Sequence, residues 1–465
     1  MATLGTTILG IELNDAALSG AGPDGTVFCE PAYALLEDGA LQLGQQVLAK
    51  RRLRPRAVSS HYFSELSEAS LAGAQPPFNT NADLVHAHLQ QLWQAHGAAF
   101  DQVVLAVPQY WTGEQLSLLL GIADEVGMPV AGLTSSAIAA TRREYPGQRV
   151  FHLEAGLHNF SMREIDQQGG LASVGEERNL HDFGYITFER AVVGYVAARL
   201  LECSRFDVFQ TAASEQSVYD LLPDWLRSLN QQATLDIEIR HGEYLFSASL
   251  TCDGVKQALR EASEPLLQQL RSFVPSGRSN PVVLQCHSLL DAFPGLLELF
   301  EEETGAMAYL LEPAAAARGA MRRAASLSSG SQGYSYVTSL PWDQPPVDVA
   351  SEAGASGGVV PTHIVYGGKA YRLPDGSFVV GAEVLESERG LQIDAGAGGI
   401  SRHHFSIDMS EGQPMLREHS RFGTRLNGYP VDTLVSLRAG DVVSIGEPAE
   451  VFVLVAEVTE PGDGA

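Results

Sequence analysis

The sequence contains very little lysine, which limits the chemistry available to it. Of 465 residues only Lys50, Lys256 and Lys369 are lysine, and the remaining basic residues are all arginine. Thirty basic against 56 acidic side chains give a formal net charge of −26. A surface of this sign repels phosphate backbones and anionic lipids, so we expect neither nucleic acid nor a membrane surface as a partner.

Cysteine pairs and long apolar runs are also absent from the sequence. Cys29, Cys203, Cys252 and Cys286 are widely separated, with no CxxC spacing. This pattern argues against a zinc site or a disulfide framework and indicates a reducing compartment. No run of about 18 apolar residues occurs, and the N-terminus does not resemble a secretory signal. We therefore expect a cytoplasmic protein without membrane insertion.

The composition changes along the chain and predicts two domains. Strand and helix patterns are mixed over residues 1–322, which predicts an α/β domain. Residues 323–361 are rich in serine, glycine and proline, which is typical of a flexible linker. Short strands with glycine turns follow over 362–457 and predict an all-β sandwich, and 458–465 form a polar tail.

The segment Asp101–Thr141 is the most diagnostic part of the first domain. It reads DQVVLAVPQYWTGEQLSLLLGIADEVGMPVAGLTSSAIAAT. It resembles the segment of DnaK-type heat-shock chaperone ATPase domains in which a strand ends in Val-Pro-x-Tyr and leads into a helix. The resemblance extends more weakly over about residues 6–322. It implies an actin-like ATPase fold, with two lobes that each hold a mixed sheet and close on a nucleotide.

In that family two glycine-rich hairpins contact the phosphates of ATP, and nearby carboxylates hold Mg²⁺. The first hairpin, Asp-Leu-Gly-Thr-Thr in the family, is matched here by Glu12, Leu13, Asn14, Asp15 and Ala16. The glycine and both hydroxyls are therefore missing, and Asp15 would repel a phosphate. The position of the family's lysine is matched by Leu48.

The second hairpin and the adenosine segment depart from the family in the same way. His152 stands where the family has its metal-binding aspartate, Glu154 adds an anion, and Gly156 is the one glycine retained. Gln285 begins the triplet that matches the family's Gly-Gly-Ser. These positions predict a degenerate cleft, a pseudo-ATPase and no cofactor. The alternative is an atypical ATPase that binds ATP and Mg²⁺ through Glu12 and Glu154 in new positions.

Three motifs near the C-terminus resemble forkhead-associated (FHA) domains in order and spacing. They are GGISRHHFSI at 398–407, EHSRFGTRLNG at 418–428 and LRAGDVVSIG at 437–446. The family binds phosphothreonine peptides through loops at one end of a β-sandwich. The family's early phosphate-binding arginine is absent, since Gly381-Ala382 stands in its place. His404 matches the family histidine that braces these loops.

The resemblance implies a binding site on two loops of the sandwich. Ser401 and Arg402 match the recognition loop, Arg421 could supply the missing charge from the opposite loop, and Phe422 replaces a family asparagine. Such a site needs an arginine and hydroxyl or amide donors that converge on a dianion. The alternative is a docking surface that is independent of phosphate, with Phe422 as a contact. The predicted set is Ser401, Arg402, His403, Ser420, Arg421, Phe422 and Asn427.

One further motif precedes the predicted linker. Arg322-Arg323-Ala-Ala-Ser326-Leu327 resembles a site for a basophilic kinase, and phosphorylation there would create a ligand for the sandwich.

Together these patterns predict a non-enzymatic adaptor of bacterial type, which assembles protein partners with or without threonine phosphorylation. The bacterial attribution rests on analogy with the domain pairing alone.

Overall fold

The structure is a computed structural model in which the chain separates into two compact units, Met1–Val349 and Ala350–Ala465. Among the described residues no helix combines the length and the apolarity needed to span a membrane. The structure describes residues 6–274, 282–327, 336–346, 361–367, 369–374, 376–385, 389–393, 399–410, 413–426, 429–431, 434–437, 441–446 and 450–456.

The N-terminal unit contains mixed strands and helices, as its sequence predicted. Its strands are β1 (Ile8–Asn14), β2 (Ala17–Gly22), β3 (Gly25–Glu30), β4 (Ala34–Glu37), β5 (Ala40–Leu43), β6 (Val58–Ser59), β7 (Ser70–Gln75), β8 (Phe78–Thr80), β9 (Gln102–Val107), β10 (Val130–Ser135), β11 (Arg149–Ala155), β12 (Phe160–Gln168), β13 (Leu171–Leu180), β14 (Thr234–His241), β15 (Tyr244–Thr251), β16 (Val282–Cys286), β17 (Met307–Leu310), β18 (Tyr336–Val337) and β19 (Ser339–Pro341). Its α-helices are α1 (Gln45–Leu48), α2 (Asn81–His96), α3 (Gly113–Val126), α4 (Ser136–Ala140), α5 (Tyr185–Ser204), α6 (Ala212–Leu229), α7 (Cys252–Phe273), α8 (Leu296–Thr304), α9 (Ala315–Arg322) and α10 (Ala324–Leu327), with 3₁₀ turns at Gly97–Ala99, Val208–Gln210 and Ser288–Ala292.

Two six-stranded sheets organise this unit, and five strands of each follow the same order. The first sheet has the order β3-β2-β1-β9-β10-β18, and the second has the order β19-β13-β12-β11-β16-β17. In each sheet an antiparallel meander of three strands is followed by two strands that run parallel to the first strand of the meander. The repeat places the β1–β2 turn and the β11–β12 turn at equivalent positions of the two sheets.

Local sequence explains the central elements. Strands β1 and β9 are apolar runs buried on both faces, since helices cover parallel strands from both sides. Helix α3 begins with a capping box between Thr112 and Gln115. It ends at Gly127, whose φ of 78° lies in the left-handed region that glycine adopts without strain.

The structure differs from the predicted linker at its N-terminal end. Strand β18 pairs with β10 and strand β19 pairs with β13, so this segment belongs to both sheets of the N-terminal unit. Leu340 is fully buried there, and the Arg142 guanidinium binds the Asp343 carboxylate with distances of 2.5–3.1 Å. The linker prediction was wrong here because these two short strands lie in a segment whose serine and glycine content is typical of a linker. Residues 328–335 and 347–360, and the tail 458–465, lie outside the described residues.

The predicted kinase motif is only partly accessible in the folded chain. Arg322 and Ser326 are exposed, but the second arginine of the motif is buried. Arg323 is only 3% exposed. Its guanidinium donates hydrogen bonds to the carbonyl oxygens of Gly319 at 3.0 Å and Thr141 at 3.1 Å. Arg323 therefore ties α9 to the segment after α4, and a kinase could not read it without local unfolding.

The C-terminal unit is an all-β sandwich, as predicted. Its sheets have the orders β21-β20-β30-β29-β26-β27 and β23-β22-β24-β25-β28, and both sheets contribute to one apolar core around Phe405 and Phe452. The strands are β20 (His363–Tyr366), β21 (Lys369–Arg372), β22 (Phe378–Gly381), β23 (Gly390–Gln392), β24 (Phe405–Ser410), β25 (Gln413–Glu418), β26 (Thr424–Leu426), β27 (Tyr429–Pro430), β28 (Leu434–Ser436), β29 (Val442–Ile445) and β30 (Glu450–Val455).

Candidate functional site

The β1–β2 and β11–β12 turns meet at the centre of the N-terminal unit. The Asn14 side-chain amide donates to the Ala155 carbonyl oxygen at 3.0 Å. In the other direction the Leu157 backbone N–H donates to Asp15 Oδ1 at 2.6 Å. Asn14 and Asp15 are 2% and 1% exposed. Protein groups of one turn therefore satisfy the backbone of the other, out of contact with water.

Gly156 is required by the close approach of these two turns. A Cβ at this position would lie 2.9 Å from Asp15 Oδ1 and 3.1 Å from the Asn159 carbonyl oxygen. Since the Gly156 N–H also donates to that carbonyl, the neighbouring backbone has little freedom to move away. The glycine retained from the family motif thus makes room for a carboxylate of the same chain.

Burial raises the pKa of two carboxyl groups at this centre. It raises the pKa of Asp15 to about 6, although the hydrogen bond from Leu157 opposes the shift. It raises the pKa of Glu154 to about 7, and the Glu12 carboxylate adds to the rise, while the hydrogen bond that the Ser136 hydroxyl donates at 2.7 Å opposes it. The centre therefore holds carboxyl groups where a phosphate-binding site needs hydrogen-bond donors.

Two histidines lie beside these carboxyl groups. His287 Nε2 lies 3.2 Å from Glu12 Oε1, and this partner raises the pKa of His287 although burial lowers it. Burial and the charge of His287 lower the pKa of His152 to about 3, so His152 is neutral. His152 lies opposite Gln285, which accepts a hydrogen bond from Thr141 Oγ1 at 2.7 Å.

The structure thus brings the predicted cleft residues together as a buried centre. The family alignment also covers their main partners, Ser136, Leu157 and His287, but it did not predict which groups these residues contact, because the contacts join separate parts of the chain. Among the described residues no group of three or more histidine, cysteine, aspartate or glutamate side chains is arranged to hold a metal ion. The predicted residues at this centre are Glu12, Asn14, Asp15, His152, Glu154, Gly156 and Gln285.

A cavity of about 400 Å³ adjoins this centre and is closed on one side by an ion pair. Its apolar lining includes Leu48, Leu157 and Leu289. At its edge Arg51 forms a two-pronged ion pair with Glu189 of α5, with distances of 3.0 and 2.6 Å, and both side chains are about 10% exposed. Leu48, which the family resemblance matches to a lysine, thus contributes an apolar side chain to this cavity.

In the C-terminal unit two loops lie side by side at one end of the sandwich. The Ser401 Oγ accepts a hydrogen bond from the Arg421 N–H at 3.4 Å. His404 is fully buried between the loops: its Nδ1 accepts from the Ser401 N–H at 3.1 Å, and its Nε2 lies 3.1 Å from the Gly423 carbonyl oxygen. Burial lowers the pKa of His404, so a neutral imidazole holds the two loops together.

The second loop is shaped by its own hydrogen bonds. Ser420 Oγ accepts from the N–H of Phe422 at 3.3 Å and from that of Gly423 at 2.8 Å. Gly423 has a φ of 86°, which a residue with a side chain rarely adopts. The Glu418 carboxylate accepts from the Ser420 N–H at 2.5 Å. Although partial burial opposes the shift, hydrogen bonds from the side chains and backbone of Ser420 and Thr424 lower the pKa of Glu418.

This arrangement points several predicted residues towards solvent. Arg402, His403, Arg421 and Phe422 are exposed, and the Phe422 side chain has 61% of its surface accessible. The Arg421 guanidinium carbon lies 5.9 Å from the centre of the Phe422 ring. Asn427, the remaining member of the predicted set, lies outside the described residues.

The comparisons with known proteins agree with this division of the chain. Residues 378–446 match the model of the FHA domain. The N-terminal region is similar to heat shock protein hsp88 of Neurospora crassa, with 25% identity over 190 residues that cover 37% of this chain. The chain spans about a quarter of the length of that protein, namely 26%. The chain therefore carries an FHA domain, C-terminal to a region that is similar to a heat shock protein.

Proposed function

We propose that the protein is a non-enzymatic adaptor whose FHA unit binds a phosphothreonine or acidic peptide of a protein partner. The observation that carries the proposal is the pair of braced loops that expose Arg402 and Arg421. The whole chain has a net charge of −26, so two exposed arginines on neighbouring loops form a local site for an anion.

The chemistry of the two loops suits a phosphorylated side chain. A phosphothreonine carries a charge close to −2 and three strong acceptor oxygens. Arg402 and Arg421 would donate charge-assisted hydrogen bonds from opposite loops, and the Ser401 and Ser420 hydroxyls lie on the same loops. His404 positions the loops from below without contacting the ligand. Phe422 would then add an apolar contact with the peptide beside the phosphate.

We further propose that the N-terminal unit has an actin-like fold without nucleotide chemistry. The repeated order of its two sheets supports the fold, because two lobes of equal topology are what the family resemblance implies. The Asp15 carboxylate supports the loss of chemistry. It already accepts the Leu157 N–H, a backbone donor on the hairpin that in the resembling ATPases contacts phosphate. An incoming triphosphate would meet Asp15 and Glu154 in place of donors.

Peptide binding tests the FHA part of the proposal. A library of peptides is presented to the full chain in three forms, with threonine, phosphothreonine or glutamate at the central position. We expect selected phosphothreonine peptides to bind at least about tenfold more tightly than their threonine forms, since charge-assisted hydrogen bonds are worth about 1.5–3 kcal/mol each.

Variants assign that binding to the two loops. Arg402→Ala and Arg421→Ala should each remove most of the preference for phosphate. Arg372→Ala, an exposed arginine on β21 outside these loops, is the matched control and should bind as the unmodified chain does. Binding that is equal for all three peptide forms and is lost in Phe422→Ala would favour the phosphate-independent docking surface instead.

A further inference from the structure

A second group of arginines lies in the N-terminal unit, far along the sequence from the FHA loops. Arg142 and Arg143 follow α4, and Arg318 lies on α9. They line one cavity of about 280 Å³ together with the tyrosines Tyr145 and Tyr309. Sequence reasoning did not identify this group, because its members come from segments more than 170 residues apart.

The charges of this cavity are only partly neutralised. Arg142 is bound by Asp343, and Arg318 forms an ion pair with Glu312. The Arg318 Nε is nevertheless buried without a hydrogen-bond partner. Arg143 has no carboxylate partner among the residues that the structure describes. Three guanidinium groups in one cavity of a strongly acidic protein thus retain an excess of positive charge.

The Arg143 guanidinium binds a neutral side chain. Its Nε and Nη2 both donate to Gln344 Oε1, at 3.0 and 2.7 Å. The two parallel N–H donors of a guanidinium group match the two oxygens of a carboxylate or phosphate. A single neutral amide oxygen forms weaker hydrogen bonds with the same donors. An anion in the position of the Gln344 amide oxygen would therefore form stronger, charge-assisted hydrogen bonds with Arg143.

The cavity wall offers further hydrogen-bond donors. The hydroxyl groups of Tyr145 and Tyr309 contact each other, and the buried Gln285 amide lies 3.4 Å from the Tyr145 hydroxyl oxygen. The volume of about 280 Å³ lies just below the range of about 300–1,000 Å³ that is typical of pockets for drug-sized ligands. It suits a phosphate group or a small phosphate ester.

We propose that this cavity, which we call the arginine cavity, binds a small phosphate-bearing anion in exchange for Gln344. Arg143 and Arg318 are the principal donors, and the tyrosine hydroxyls lie beside them. The site lies within the N-terminal unit and shares Gln285 with the carboxyl-rich centre, but its proposed donors belong neither to that centre nor to the FHA loops. It therefore does not depend on the function proposed above.

Calorimetric titration of the full chain tests the proposal, with inorganic phosphate and glycerol phosphate as probes at constant ionic strength. We expect saturable binding of at least one probe. If phosphate alone binds, the ligand is the free ion, and if glycerol phosphate binds more tightly, it is an ester. Arg143→Ala and Arg318→Ala should each weaken binding about tenfold or more. Arg372→Ala, which changes an exposed arginine outside this cavity and outside the FHA loops, should leave it unchanged.

Two variants of Gln344 test the exchange directly. Gln344→Ala should bind the probe more tightly, because no side chain competes for Arg143. Gln344→Glu should bind it much more weakly, because a carboxylate of the chain then holds the guanidinium. Arg322→Ala, an exposed residue of the same helix as Arg318, is the matched control, and thermal melting verifies that each variant is folded. The proposal is overturned if neither probe binds, or if Arg143→Ala and Gln344→Glu bind as the unmodified chain does.

Discussion

At the scale of single residues, the chain uses its own carboxylate at a position where the resembling ATPases receive a phosphate. Asp15 is 1% exposed and bonds to the Leu157 N–H across 142 residues of sequence. Burial disfavours the ionised form of this carboxyl group, which raises the pKa of Asp15. Ionised Asp15 therefore destabilises the folded chain relative to protonated Asp15.

The raised pKa of Asp15 predicts how the stability of the folded chain depends on pH. The pKa of Asp15 is about 6 in the folded chain against an ordinary value of 3.8, so between pH 4 and 6 the folded state binds more protons than the unfolded state. The contribution of this group to the free energy of unfolding therefore falls as pH rises through this window. The Asp15→Asn variant should lack that part of the fall and be more stable at pH 8, by on the order of 2–3 kcal/mol.

Urea denaturation at pH 4.5 and at pH 8 measures this difference. Asp24→Asn, which changes an exposed carboxylate in the β2–β3 turn, is the control and should follow the pH profile of the unmodified chain. If Asp15→Asn loses as much stability between the two pH values as the unmodified chain, ionisation of the buried Asp15 does not destabilise the folded chain as predicted.

At the scale of elements, helix α9 packs against its neighbours with almost no space between backbones. A Cβ at Gly319 would lie 1.8 Å from the Ala139 carbonyl oxygen on α4, and one at Gly10 on β1 would lie 1.9 Å from the Ala317 carbonyl oxygen. Arg323 then binds the carbonyl oxygens beside α4. This packing connects β1 of the first sheet to the segment that enters the second sheet.

Replacement of Gly319 tests this packing. Gly319→Ala should lower the free energy of unfolding by about 2 kcal/mol or more, because the new methyl group overlaps a backbone atom that cannot rotate away. Gly194→Ala is the matched control: it also lies inside a helix, α5, but a Cβ there meets nothing within 4 Å. That variant should gain up to about 1 kcal/mol from helix propensity. Equal effects of the two substitutions in a chemical denaturation series would contradict the packing argument.

At the scale of the whole N-terminal unit, contacts between its own residues join the two sheets without a ligand. The contacts of Asp15 with Leu157, Glu12 with His287 and Arg51 with Glu189 lie around the centre where the two turns meet. Strands β18 and β19 add a connection, since one extends the first sheet and the other the second. These contacts would have to open, or accept added negative charge, before a nucleotide could enter.

Titration with MgATP tests this view of the N-terminal unit. We expect no binding tighter than a Kd of about 100 μM, which corresponds to about 5.5 kcal/mol, and no release of phosphate above the uncatalysed rate. A tighter Kd in calorimetry, weakened in Glu12→Gln and Glu154→Gln, would instead support an ATPase with metal ligands in new positions. The Glu243→Gln variant is the control, because it makes the same change at an exposed carboxylate in the β14–β15 turn.

Local patterns were sufficient for much of the fold. The strand that ends at Val107, the helix α3 that follows it and the three FHA motifs depend on neighbouring residues, and each lies where the sequence predicted it. The prediction of a linker over 323–361 was wrong at Tyr336–Pro341, because strands this short gain their order from the sheet edges that they meet. The amino-acid composition of the segment does not indicate which sheet edges it will meet.

The sequence by itself thus determined the mixed α/β character of the first unit and the all-β character of the second, and it shows carboxylates as replacements where the family resemblance would lead one to expect phosphate-binding residues. Only the tertiary structure decided what those replacements do. It turned Asp15 towards the Leu157 N–H and gathered Arg142, Arg143 and Arg318 around one cavity. The physical reason is that such contacts join residues far apart in the chain, and their geometry exists only after the helices and sheets have packed against one another.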